Sequence, residues 1–64
     1  MTRKTFDEIV NKVLLPYREM TFTNSRAAKA YLKIGVDIYG AKNILNVANF
    51  FGVYDLPIVN GEVV

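Results

Sequence analysis

The sequence predicts a mostly helical fold: a small domain of three helices with a C-terminal β-hairpin or extended tail. Three observations point there. Apolar residues recur at spacings of three and four from Phe6 to Phe51, the period of an amphipathic helix. Glycines stand where those periodic stretches pause, at Gly35, Gly40 and Gly52. The tail carries Asn60-Gly61 between Ile58-Val59 and Val63-Val64, a strong signal for a tight hairpin turn.

The first helix is expected over residues 6–15, with a continuation to Glu19 left open. Thr5 followed by Glu8 has the spacing of a capping box, in which hydroxyl and carboxylate each satisfy an amide of the first turn. Phe6, Ile9, Val10, Val13, Leu14 and Tyr17 form its apolar face. Pro16 has no amide to donate and crowds the preceding turn, so a stop or kink is expected near Leu15. Thr21-Phe22-Thr23-Asn24-Ser25 reads as a linker that ends in good N-cap residues.

The second helix is expected over 26–39, with Arg26, Lys29, Lys33 and Asp37 on its polar side and Ala27, Ala28, Ala30, Tyr31, Leu32 and Ile34 on the other. Gly35 can end this helix in the left-handed conformation, leaving Asp37 to cap the next, or the helix can pass through it at a cost of about 1 kcal/mol. Val36 and Tyr39 continue the apolar stripe, which favours the break at Gly40. A third helix is expected over 42–51, burying Ile44, Leu45, Val47, Ala48 and Phe51 and stopped by Gly52; residues 53–64 form the tail. A lone short hairpin is marginal in water, so the tail should lean on the helices or add to a partner's sheet.

Ordering 64 residues costs roughly 100 kcal/mol, so nearly every apolar side chain has to be covered by something. The hydrophobic fraction is 52%, too much for the interior of so short a chain, and the excess points to an interface, first of all a homodimer. Cysteine and histidine are both absent, which removes disulfides, thiolate metal sites and the usual proton-transfer side chain. The carboxylates Asp7, Glu8, Glu19, Asp37, Asp55 and Glu62 lack calcium-loop spacing, and Ser25 and the threonines have no histidine to activate them. No glycine-rich phosphate cradle is present. No enzyme activity, small-molecule substrate, metal or cofactor is therefore expected. The apolar runs reach only about five residues and no signal segment opens the chain, so neither membrane insertion nor export is expected and a cytoplasmic protein is.

Binding is what remains. Net charge is +2, and between Met20 and Tyr54 Arg26, Lys29, Lys33 and Lys42 face the single acid Asp37. Asn43, Asn46 and Asn49 line the third helix beside Lys42. Asparagine can pair with adenine in the major groove while Lys42, with Arg26, Lys29 and Lys33, holds phosphates. The same residues also suit a plain solvated face. Phe50 falls beside the asparagine line, away from the core side, and with Tyr54, Leu56 and Ile58 it forms a second candidate surface, for a protein partner.

The segment VANFFGV, with Ala48, Phe51, Gly52 and Val53, resembles the first helix and turn of the helix-turn-helix motif in small excisionase-like and repressor-like proteins. The motif's alanine four residues before the turn glycine is Ala48, and its aliphatic six residues after is Ile58. The likeness covers about fifteen residues. Pro57 and Asn60-Gly61 occupy the place of the recognition helix. In a second register Gly35 is the turn residue and Tyr31 stands where a small residue is usual. The resemblance implies a DNA-binding transcriptional regulator, and size and composition suggest one of phage or mobile-element type; the alternative is a protein-interaction module that inhibits or adapts a larger host protein.

Overall fold

A computed structural model describes all 64 residues, Met1–Val64. In chain order they form α1 (Arg3–Ile9), a π-helical turn (Val10–Leu14), α2 (Leu15–Thr23), α3 (Ser25–Tyr39), α4 (Ala41–Phe50) and the two-residue strands β1 (Ile58–Val59) and β2 (Glu62–Val63). The first three run on without a break as one rod. Three helical rods and a C-terminal hairpin are the architecture expected from the sequence.

The first rod is longer at both ends than the expected 6–15. Its cap is Thr2, whose Oγ1 accepts the Thr5 amide at 3.1 Å, so the helix begins a turn before the Thr5–Glu8 box. Glu8 is thereby free to face α3, where its carboxylate accepts the Tyr39 hydroxyl at 3.2 Å. Nor does Pro16 end the rod. Just before it the Leu15 amide reaches back five residues to the Val10 carbonyl, which widens the helix and leaves Pro16 in the first turn of α2. The carbonyl four residues before the proline, that of Lys12, accepts the Tyr31 hydroxyl from α3. The expected linker shrinks as well. The hydroxyls of Thr21 and Thr23 fold back onto the Arg18 and Met20 carbonyls, and both residues stay helical. Only Asn24 turns extended, and its Oδ1 accepts the Ala27 amide at 3.1 Å to start α3.

α3 passes through Gly35 and ends at Gly40, whose φ of +88° an L side chain rarely adopts. Gly35 is buried, and a Cβ there would lie 2.8 and 2.9 Å from the two Val13 methyls. Its role is close approach to the π turn rather than a bend. The buried face of α3 is Ala28, Leu32 and Gly35, narrower than the sequence suggested: Ala30 is exposed, and Ile34 and Ile38 keep 58% and 66% of their surface in solvent.

α4 buries Ile44, Val47 and Ala48. Phe51, expected on that side, is 54% exposed because the helix ends at Phe50 and its backbone leaves the helical register. The Gly52 amide donates to the Asn49 carbonyl and the Val53 amide to that of Ala48, the paired closing bonds of a glycine-ended helix. Val53, Leu56, Ile58 and Val63 then pack on the core formed by Ile9, Val13, Leu14, Leu32, Ile44, Val47 and Ala48. Asn60 and Gly61 take positive φ, as the tight turn demands, and pair Ile58 with Val63. β2 lies on α3, so the tail leans on its own helices.

Neither helix-turn-helix register is formed. Beyond Gly52 the chain is irregular and then a hairpin, with no second helix, and in the other register Gly35 lies inside α3.

Candidate interaction surfaces

Lys42, Asn46 and Asn49 are exposed on α4, and Arg26, Lys29 and Lys33 on α3. The expected asparagine line is not uniform: Asn43 is half-buried, and its amide donates to the Tyr39 carbonyl at 2.9 Å, bridging the break at Gly40. The expected protein-binding set divides too. Phe50 and Tyr54 are exposed, whereas Leu56 and Ile58 are half-buried against the core. The six carboxylates nowhere gather into a group of three. No helix is long and apolar enough to cross a membrane.

One cluster escaped the sequence reading. Phe6 of α1 meets Phe50 and Phe51 at the end of α4, with ring centroids 5.4 and 5.8 Å away, and Phe50 and Phe51 stand 5.3 Å apart. The Phe6–Phe50 and Phe50–Phe51 pairs are edge-to-face, the arrangement that the ring quadrupole favours. Even so, Phe50 is 74% exposed. Met1 and Val10 extend this apolar ground into an open trough, bordered by Thr2, Arg3, Asp7 and Asn11. Periodicity assigns Phe6 and Phe51 to the core; Phe6 does pack half-buried against it, whereas Phe51 does not. The available clue was Gly52, which ends α4 and swings Phe51 off the buried stripe.

A second apolar surface runs along α3. Tyr31, Ile34, Gly35, Ile38 and Tyr39 line a shallow groove against Lys12 and Val13 of the π turn. Tyr31 and Tyr39, two turns apart, tie it to the first rod through the Lys12 carbonyl and the Glu8 carboxylate. Burial raises the Tyr39 pKa, and the hydrogen bond and charge of Glu8 raise it further. Tyr17, on the groove between α2 and the tail, is also raised, first by burial and then by the charge of Asp55.

No family model, curated protein or solved structure matches the chain.

Proposed function

We propose that the protein is a non-enzymatic binding module of the cytoplasm that inhibits or adapts another protein by docking it at the phenylalanine end. The observation that carries this is Phe50: it touches two other rings and yet stands three-quarters in solvent. A ring so placed is held in orientation before any partner arrives, so little conformational entropy is lost on docking. Full burial of a phenylalanine contributes about 1.5–3 kcal/mol, and Phe51 and Met1 add to the same ground. A suitable partner presents a large aliphatic or aromatic anchor to the trough, with polar groups at its rim for Arg3 and Asn11.

The test is affinity capture with the intact chain against Phe50→Ser. The partner is expected to be lost while far-ultraviolet circular dichroism stays unchanged. Undiminished capture by the variant would remove the reading.

A second reading, a DNA-binding regulator, draws support from Lys42, Asn46 and Asn49, which stay exposed on α4, and from the exposed Arg26, Lys29 and Lys33. It requires duplex retardation at low salt that weakens steeply as salt rises, and loss of sequence preference in Asn46→Ala.

A further inference from the structure

α3 is apolar over a wider arc than its core contacts use. Ala28, Leu32 and Gly35 face the first rod, while Ala30, Ile34 and Ile38, at spacings of four, form a separate stripe in solvent. The small Ala30 leaves room for another helix backbone, and the groove beside Ile34 and Ile38 offers a hole between the two tyrosines. Such a stripe matches what two helices need in order to pack.

Charge on the two edges of the stripe indicates what covers it. One edge carries Lys33 and Asp37, a turn apart and both exposed, with Glu62 of β2 across a groove from them. Asp37 is the one acid between Met20 and Tyr54. The other edge carries Lys12 and Glu8 of the first rod. The Lys12 carbonyl is bonded to Tyr31 and the Glu8 carboxylate to Tyr39, so the first rod runs antiparallel to α3 there. Both edges therefore read in the same sense along α3, lysine toward its N-terminal end and acid toward its C-terminal end. Turned end for end about a two-fold axis level with Gly35, each edge opposes lysine to acid and acid to lysine. Placed parallel to itself, each edge opposes like charges.

We propose that this face seats the same face of a second copy of the chain, as an antiparallel two-fold dimer with Ile34 and Ile38 at its centre. Lys33 lies opposite the partner's Asp37, and Lys12 opposite the partner's Glu8. The surface is distinct from the phenylalanine end, so a dimer leaves Phe50 free.

Sedimentation velocity on the full chain over a range of concentrations tests it. The unmodified protein is expected to dimerise, and Ile38→Glu to be monomeric with an unchanged circular dichroism spectrum. Lys33→Glu puts two like-charge pairs across the axis and should weaken the dimer about ten-fold at low salt, whereas the swap Lys33→Glu with Asp37→Lys restores it. A protein monomeric at every concentration, or a dimer that survives Ile38→Glu or is dissociated instead by Phe50→Ser, overturns the proposal. A swap no better than Lys33→Glu overturns the antiparallel arrangement.

Discussion

Where α3 crosses the π turn, a glycine lets backbone approach two valine methyls and a tyrosine hydroxyl satisfies the Lys12 carbonyl beside a proline. Where α1 meets the end of α4, three phenylalanine rings touch and the most prominent stays in water. The first junction turns on the glycine–valine contact and yields buried packing. The second is made of large side chains and yields surface. Side-chain size is thus a poor guide to what holds this protein together. With only nine of its 64 residues buried, the chain relies on close packing at a few points and leaves much apolar area exposed.

Substitutions test that contrast, and the greatest loss of stability is expected beneath the crossing. Leu32 is fully buried, and Leu32→Ala should destabilise by about 2–5 kcal/mol in urea unfolding, enough to leave so small a domain largely unfolded. Gly35→Ala comes next. Its methyl collides with Val13, which costs about 1–3 kcal/mol against a gain of about 1 kcal/mol from better helix propensity. Val13→Ala in the same chain should relieve the collision, and a double-mutant cycle reads that coupling; additive costs would mean that the two residues do not collide. Tyr31→Phe keeps the ring but removes the donor to the Lys12 carbonyl, for an expected loss of about 1 kcal/mol. Phe50→Ser, at the other junction, should change stability by no more than about 0.5 kcal/mol. A larger loss would show that the ring cluster is structural.

The smallest effect is a pH dependence. The Tyr39 phenol is raised above 10.0 in the fold, by burial and then by the Glu8 hydrogen bond and charge. A raised acid binds its proton longer folded than unfolded, so its contribution is full below pH 10.0 and is lost as pH climbs through the folded value. Stability should decline above that pH, and less steeply in Tyr39→Phe, as followed by circular dichroism.

How much of this was legible in the sequence depended on how local its cause was. The extents of α3 and α4 were read to within a residue or two because Asn24, Gly40 and Gly52 act on their own turns. The hairpin turn was likewise declared by Asn60-Gly61. Pro16 misled because the consequence of a missing amide depends on a donor fifteen residues further along the chain, on another helix. Thr21 and Thr23 resembled linker residues for a similar reason, their hydroxyls being able to serve either a turn or the helix itself. Of the candidate site, the exposure of Phe50 is foreseen, because it falls beside the asparagine line and off the core stripe. The turning inward of Asn43 is not, and the packing of Leu56 and Ile58 on the core follows one of the two expected fates of the tail rather than a partner surface.

The helical class, the turn positions and the lack of thiol and imidazole groups follow from residue identity or from neighbours within a turn, and so are readable in the chain alone. Which of the two apolar arcs of α3 meets the core, the helical run past Pro16 and the meeting of Phe6 with Phe50 and Phe51 are settled by packing between elements. Those outcomes depend on which surfaces fit one another at contact distance, and periodicity along a single helix carries no information about the shape of its neighbour.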